Sequence, residues 1–240
     1  MRGIRPMQRK IEPEWLDELP VDDPGAKQSR RDLRRINALM RNAATVAGVL
    51  RGEAAQGRTG CLVEIGAGDG EFLLSVARHL SGYRSAGPAS RQAVLVDRQF
   101  LLRDDTTTRF AKLHWHVRVI QSDIMDYLTN GVGPVDIMVA NLFLHHFPTA
   151  QLRQILHAAS RHVSLFIAID PKRSRPGWLC ARCLHLIGCN RVTQHDAPIS
   201  VRAGFRESEL SQLWPASPNW TLTERRSGLF SHLFVARRNS

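Results

Sequence analysis

The chain has 240 residues and a mass of 27.0 kDa, which suffices for one α/β domain with an accessory segment. It contains no run of about 18 apolar residues, and its start turns polar at once, which argues against a membrane-spanning helix and a signal peptide. Four cysteines are too few for a disulfide scaffold. We therefore expect a cytoplasmic protein with reduced thiols.

The formal net charge is +11, and the isoelectric point is about 10.6. A basic surface neutralises the phosphates of nucleic acids and releases counterions, so nucleic acid is a candidate partner. Only four of the 33 basic residues are lysines, however, and the base composition of a gene can produce such an arginine excess. The charge alone therefore does not identify a partner.

The first quarter of the chain changes character near Ser29. Prolines and a glycine interrupt residues 1–27, which predicts an extended or partly ordered lead-in. Apolar residues then recur at helical spacing as far as Arg51, which predicts one amphipathic helix. We expect residues 1–55 to form a lead-in with a cap helix and residues 56–240 to form the main domain.

Short apolar runs alternate with longer amphipathic runs through the middle of the chain. This alternation predicts a parallel sheet with helices on both faces. Residues 207–214 resemble a helix, and two strand-like runs separated by Ser227-Gly228 predict an antiparallel hairpin. The expected fold is a Rossmann-like, doubly wound, mostly parallel seven-stranded α/β sheet, with strands at 61–65, 93–97, 116–122, 135–141, 163–170, 220–226 and 232–238.

The first strand leads directly into the turn Gly66-Ala67-Gly68-Asp69-Gly70 and then into a helix. Glycine permits the unusual φ angles of a tight turn and lets a ligand approach the backbone. Several nucleoside-binding families share this pattern, and it also occurs for packing alone. The turn by itself indicates a nucleoside cofactor without identifying it.

Two aspartates follow the next two strands. Asp97 ends the run AVLVD, and Asp123 follows HVRVIQS. Open α/β sheets bind ligands outside the carboxyl ends of their strands, so Asp97 is placed to accept hydrogen bonds from ribose hydroxyls and Asp123 to meet an adenine amino group. The alternative, that the aspartate caps the following helix, fits Asp123 better than Asp97.

The motifs VEIGAGDG, VLVD, QSDI and VDIMVAN resemble the successive cofactor-binding motifs of the class I S-adenosylmethionine-dependent methyltransferases. The likeness covers residues 60–170, and the closing hairpin resembles the reversed last strand of that family. It implies S-adenosylmethionine as the cofactor. Nicotinamide-binding proteins have their third glycine one residue later, which disfavours hydride transfer. The residues that the resemblance assigns to the cofactor are Glu64, Gly66, Ala67, Gly68, Gly70, Asp97, Asp123, Ile124 and Asn141.

Methyl transfer to a hydroxyl needs in-line positioning and a base that removes the proton. His145 and His146 follow the fourth strand, and imidazole titrates near neutral pH. Either could be the base, with a structural role at a helix start as the alternative. His195 beside Asp196 is another candidate base, unless these residues only stabilise a packed loop.

Residues 171–205 are too long for a simple return to the sheet, and they predict a lid over a substrate pocket. Cys180, Cys183 and Cys189 lie in an apolar helical stretch of this insert. Zinc sites usually place their ligands on turns, whereas cysteine in such a stretch behaves as a small hydrophobe. We therefore expect no metal site.

The LFLHHF segment at 142–147 and the lead helix resemble the small-molecule branch of the family, in particular bacterial enzymes found with polyketide or phenolic-lipid pathways. Asn141 is not followed by the two prolines of adenine amino methyltransferases, and no cysteine nucleophile lies at this edge. We expect O-methylation of a phenolic or polyketide-like small molecule. An RNA-directed methyltransferase and a non-enzymatic, cofactor-binding regulator are the alternatives.

Overall fold

The sheet that the sequence predicts is present in the computed structural model, which describes residues 7–55, 60–81, 91–99, 101–102, 105–130 and 135–239. Within these ranges seven strands form one sheet in the order β3-β2-β1-β4-β5-β7-β6. The strands are β1 (Leu62–Ile65), β2 (Arg91–Asp97), β3 (Trp115–Gln121), β4 (Ile137–Asn141), β5 (Leu165–Pro171), β6 (Trp220–Ser227) and β7 (Ser231–Arg238).

Strands β1 to β5 pair in parallel, and β7 runs antiparallel to both β5 and β6. The residues of β1, β4 and β5 are buried throughout, since helices cover both faces of the sheet. The expected fold class is therefore confirmed, including the hairpin that ends it.

The helices on the two faces of the sheet build two separate apolar clusters. Leu73 and Phe110 belong to the cluster on one face, whereas Leu152 and Trp214 belong to the other. Short 3-10 helices lie at Leu144–His146 and Leu184–Ile187. The α-helices are α1 (Trp15–Glu18), α2 (Pro24–Met40), α3 (Asn42–Ala55), α4 (Glu71–Leu80), α5 (Thr106–Ala111), α6 (Ile124–Asn130), α7 (Thr149–His162), α8 (Arg175–Arg182) and α9 (Arg191–Ala203).

The prediction of a single helix from Ser29 to Arg51 is wrong. The helix is interrupted at Arg41, whose backbone has a left-handed φ of 57°. The helix before the break starts early, at Pro24, where the Asp23 side chain accepts a hydrogen bond from the Ala26 backbone N–H. The break also lets Asn42 enter the protein interior at the start of α3. Two helices at an angle thus replace one long helix.

Two other sequence expectations need revision. The predicted helix at 207–214 is a series of turns, because the backbone N–H groups of Leu210 and Ser211 donate to the Glu224 carboxylate on β6. The predicted lead-in contains the short helix α1. Residues 1–6 of the lead-in lie outside the described part of the chain. Among the described helices, none has the length and apolar character needed to cross a membrane.

The carboxyl ends of β1, β2 and β4 meet at one edge of the sheet. The strand order reverses between β1 and β4, because the chain adds β2 and β3 on one side and β4 and β5 on the other. Such a reversal leaves a crevice between the loops that follow the two strands. The candidate site lies there.

Gly204 and Gly52 provide a matched test of how closely the backbone after α9 packs on the end of β5. A Cβ at Gly204 would collide with the carbonyl oxygen of Pro171, whereas a Cβ at Gly52 meets nothing within 4 Å. We expect Gly204→Ala to lower the free energy of unfolding by roughly 1–3 kcal/mol, because backbone must move. Gly52→Ala should raise it by about 0.5–1 kcal/mol, because alanine is the better helix former. Urea unfolding measures both, and equal stabilities would contradict the packing.

Candidate functional site

The glycine turn after β1 has three residues in the left-handed region, with φ of 68° at Gly66, 53° at Gly68 and 74° at Gly70. A Cβ at Gly66 would collide with the ring of Phe143, whereas one at Gly68 would meet nothing within 4 Å. Gly66 is thus needed for packing, and Gly68 leaves open space for a ligand.

Asp97 at the end of β2 holds this turn in place. Its Oδ2 accepts a hydrogen bond of 2.8 Å from the Gly68 backbone N–H, and its Oδ1 accepts one of 2.8 Å from the Gln99 N–H. A carboxylate that receives backbone N–H groups keeps further lone-pair sites for a ligand. The predicted ribose-binding residue therefore also fixes the geometry of the turn.

A cavity of about 1090 Å³ opens at this edge of the sheet. Gly70 is not part of its lining but lies at the N-cap of α4, where it packs against Leu95. The other eight residues that the sequence assigned to the cofactor line the cavity together, namely Glu64, Gly66, Ala67, Gly68, Asp97, Asp123, Ile124 and Asn141.

The cavity wall fits S-adenosylmethionine, as the state of Glu64 shows. The Glu64 side chain is buried, and its Oε2 has no hydrogen-bond partner in the described structure. Burial raises the pKa of Glu64 well above its ordinary value, and the nearby Asp69 and Asp97 carboxylates raise the pKa further. A buried carboxyl group with one unpaired oxygen suits a ligand that brings hydrogen-bond donors and positive charge.

Two helices from the N-terminal region complete the wall. Arg34 of α2 forms an ion pair of 2.5 Å with Asp69 in the glycine turn. Asn42 of α3 donates to the Asn141 side-chain oxygen at 3.2 Å and accepts from the Ser231 hydroxyl at 2.6 Å. Because Asn42 and Ser231 are both buried, this network fixes the orientation of Asn141.

His145 lies in the 3-10 helix after β4 and is only 2 % exposed. Its Nδ1 lies 2.7 Å from Asp170 Oδ1 at the end of β5, and its Nε2 lies 3.5 Å from Glu14 Oε1. Although burial alone would lower the pKa of His145, the hydrogen bond to Asp170 and the nearby Glu14 carboxylate raise it from 6.5 to about 9. His145 is therefore held as an imidazolium between two carboxylates at neutral pH.

His146 occupies a more open position than its neighbour. Its Nδ1 lies 3.3 Å from Asp17 Oδ2, and 28 % of its side chain is exposed. The two imidazole rings are 4.2 Å apart, and both line the cavity. The structure thus distinguishes a buried, doubly paired His145 from a partly solvated His146.

Residues 7–19, which we call the N-terminal strap, close one side of the site. The backbone N–H groups of Trp15 and Leu16 donate to the Asp196 carboxylate at 2.9 and 3.0 Å. Ser200 donates to Glu14 Oε1 at 2.6 Å, so the carboxylate facing His145 is itself anchored on α9. The strap therefore brings charge to the site from the far end of the sequence.

Glu14, Asp17 and Asp170 are the functional candidates that sequence reasoning missed. Asp170 ends a strand-like run as Asp97 does, so the same signal could have identified it. Glu14 and Asp17 carry no such signal, because they reach the site only through folding of the strap onto α9 and the 3-10 helix.

His195 does not line the main cavity. Its ring stacks on Trp15 with centroids 3.8 Å apart, and its Nδ1 lies 2.7 Å from Asp196 Oδ1. Because Asp196 also binds the backbone of the strap, this pair anchors the strap next to the site.

Two groups in this region have residue types that bind metals. Cys180 and Cys183 are exposed and Cys189 is buried, each as a free thiol. Among described residues, Glu14, His145 and His146 bring ligand atoms within 4.8 Å of one another. Carboxylates face both nitrogens of His145, so protons compete strongly for the lone pair that a metal would need.

Comparison with known proteins identifies the central part of the chain. Residues 62–164 match the family model described as a methyltransferase domain. A comparison with curated protein sequences finds no match.

Solved structures share the fold over most of this chain. Plantazolicin methyltransferase BamL, in complex with a triazolic desmethylPZN analog and SAH, has a TM-score of 0.62 and 14 % identity, covering 90 % of this chain and 91 % of that chain. The dimethyltransferase RosA from Streptomyces davawensis has a TM-score of 0.56 and 16 % identity, covering 95 % of this chain and 62 % of that chain.

An O-methyltransferase family protein from Burkholderia thailandensis has a TM-score of 0.53 and 16 % identity. The match covers 85 % of this chain but only 58 % of that chain, so this chain spans less than two thirds of its length. At these identities the likeness establishes a common fold.

The role of Asp97 can be tested by calorimetry with S-adenosylhomocysteine. We expect Asp97→Ala to weaken binding by roughly 10- to 100-fold, because charge-assisted hydrogen bonds are lost and the turn at Gly68 loses its anchor. Asp126→Ala, on the exposed side of α6, is the matched control and should bind normally. Unchanged affinity in Asp97→Ala would exclude the cofactor assignment of this residue.

Proposed function

We propose that this chain, in which residues 62–164 match a methyltransferase domain, methylates a hydroxyl group of a phenolic or polyketide-like small molecule, with His145 as the general base. The observation that carries this proposal is the position of His145. One imidazole nitrogen is fixed by Asp170, and the other lies beside Glu14 in the wall of the cavity that contains the glycine turn.

The proposed reaction divides the work between the cofactor and the protein. When bound, S-adenosylmethionine supplies an electrophilic methyl group on a positively charged sulfur. The glycine turn, Asp97 and Asp123 would hold it, and the buried Glu64 would help to order the loop around its methionine part. His145 Nε2 accepts the proton of the acceptor hydroxyl while the cavity holds the oxygen in line.

Asp170 is the positioning residue of this arrangement. The Nδ1–H of His145 donates to Asp170, which selects the tautomer whose lone pair is on Nε2. A neutral imidazole is required for proton acceptance, and the pKa of about 9 keeps most of His145 protonated at neutral pH. The Nε2 proton therefore leaves to solvent before the acceptor hydroxyl reacts. An acceptor that displaces Glu14 from Nε2 removes one of the two carboxylates that raise this pKa, which favours the neutral imidazole.

The rest of the cavity wall supports a small aromatic acceptor. Phe143 and Phe147 line the cavity with ring centroids 4.9 Å apart, an arrangement that suits contact with another aromatic ring. Ala181, Leu184 and Val201 add apolar surface from the segment 171–205. We therefore keep this segment as a proposed substrate lid, attached to a methyltransferase domain at 56–240.

The pH dependence of methyl transfer tests the state of His145. We expect kcat/KM for the acceptor to rise from pH 7 and to level off above about pH 9, because the active imidazole of the free enzyme is the deprotonated form. Asp170→Asn should move this rise to lower pH and reduce the plateau, because a charge that raises the pKa is lost. A phenolic acceptor that ionises by itself would give no such shift. Activity that falls above pH 9 would contradict a base role for His145.

Substitution of the two histidines separates their roles. We expect His145→Gln to lower the turnover number by roughly 10²- to 10⁴-fold, the usual contribution of a general base. His146→Gln should retain most of the activity, because its ring is partly solvated. Calorimetry with S-adenosylhomocysteine should give wild-type affinity for both variants. Equal turnover losses would contradict the assignment.

The acceptor class is tested with radiolabelled S-adenosylmethionine, a panel of phenolic and polyketide-like compounds, and total RNA in parallel reactions. Label transfer to a phenolic hydroxyl, identified by mass spectrometry, is expected. Transfer to RNA alone would replace the proposal with the RNA-directed alternative. Absence of transfer to every acceptor, with normal cofactor binding, would favour a regulator.

A further inference from the structure

Four large aliphatic side chains are exposed where α2 approaches the α8 region. Arg35 of α2 donates a hydrogen bond of 3.1 Å to the Ile187 carbonyl, which joins the two elements. Leu39 lies one helical turn beyond Arg35, on the same side of α2. We call this surface the apolar rim, and its residues with their exposed fractions are Leu39 at 73 %, Leu179 at 56 %, Leu186 at 74 % and Ile187 at 45 %.

The surroundings of the apolar rim are positively charged. Three exposed arginines lie on α2 and α8, namely Arg31, Arg35 and Arg182, and exposed Arg191 begins α9 a few residues after the 3-10 helix. The sequence between residues 171 and 195 contains no aspartate or glutamate. The acidic residue within α2 is Asp32, which is buried. Aliphatic and cationic groups therefore lie on neighbouring elements, and Arg35 on α2 is paired with Asp32 at 3.5 Å.

The apolar rim is continuous with the mouth of the cavity. Leu39 and Ile187 are both exposed, and both also line the cavity that reaches His145. Leu179 and Leu186 are exposed but lie outside the lining. The cavity therefore opens beside the apolar rim.

We propose that the apolar rim docks onto the surface of an anionic lipid bilayer. Leucine and isoleucine side chains enter the boundary between headgroups and acyl chains, while the surrounding arginines attract anionic headgroups. Single strands of RNA would use the arginines but are bound mainly by stacking on aromatic rings, which would leave these aliphatic groups in water. The combination of aliphatic and cationic side chains favours the bilayer.

This contact is peripheral, because no described helix is suited to cross a membrane. It gives an apolar acceptor a direct route from the bilayer into the cavity. Docking does not depend on the identity of the acceptor. Vesicle binding can therefore be tested separately from the proposed reaction.

Co-sedimentation of the full chain with lipid vesicles tests the proposal. We expect binding to vesicles of phosphatidylcholine mixed with phosphatidylglycerol, weaker binding to phosphatidylcholine alone, and weakening by salt because exposed charges are screened. Leu179→Ser combined with Leu186→Ser should reduce the partition coefficient by about tenfold or more, because both leucines leave the lipid contact. Neither residue lines the cavity, so S-adenosylhomocysteine binding should remain at the wild-type level.

A matched pair of arginine variants tests the charge contribution. Arg182→Gln, beside the apolar rim, should reduce binding to anionic vesicles by about fivefold, the usual contribution of one basic residue near such a surface. Arg161→Gln removes an exposed arginine at the end of α7, near the opposite edge of the sheet, and should have no effect.

Three outcomes would overturn the proposal. One is no binding to anionic vesicles at low salt. Another is equal loss of vesicle binding in Arg182→Gln and Arg161→Gln, which would show attraction by net charge only. The third is full retention of vesicle binding by the variant with both Leu179→Ser and Leu186→Ser. If that variant instead loses binding to an acidic protein or to RNA, the occupant of the apolar rim is not a bilayer.

Discussion

The burial of His145 between Asp170 and Glu14 is the interaction on which the candidate site depends. An imidazolium taken out of water needs partners, and losing one partner of a buried ion pair costs about 3–5 kcal/mol. Asp170 comes from the sheet, whereas Glu14 comes from the N-terminal strap. The same charge balance that gives His145 its raised pKa therefore also ties the strap to the sheet.

The strap, α2 and α9 form one connected cover over the edge of the sheet. Asp196 and Ser200 of α9 bind the strap, and Ser29 of α2 shares a hydrogen bond of 2.9 Å with Thr193 of α9. This cover leaves the side chains of His145 and Glu14 only 3 % and 11 % exposed, which strengthens the electrostatic contact between them. The strap, α2 and α9 thus surround His145, while the sheet edge holds the residues proposed to bind the cofactor.

The predictable part of the site is its local part. The turn from Gly66 to Gly70 directly follows β1, and Asp97 is the last residue of β2. Their positions in the sequence therefore place them at the edge of the sheet where ligands bind. The mostly parallel sheet follows from the alternation of strands and helices along the chain. The break at Arg41 could not be predicted, because the helical pattern continues through it, and the break follows from the burial of Asn42 against Asn141 and Ser231.

The contacts of Glu14 and Asp17 were unpredictable for another physical reason. They join residues more than a hundred positions apart in sequence, and no periodicity in a proline-rich lead-in encodes a partner. Net charge was equally uninformative as a single number, because it becomes specific only when folding places arginines beside Leu39 and Leu186 with few acidic neighbours. In this chain the local motifs determine the methyl donor, while long-range folding determines which acceptor can reach it and from where.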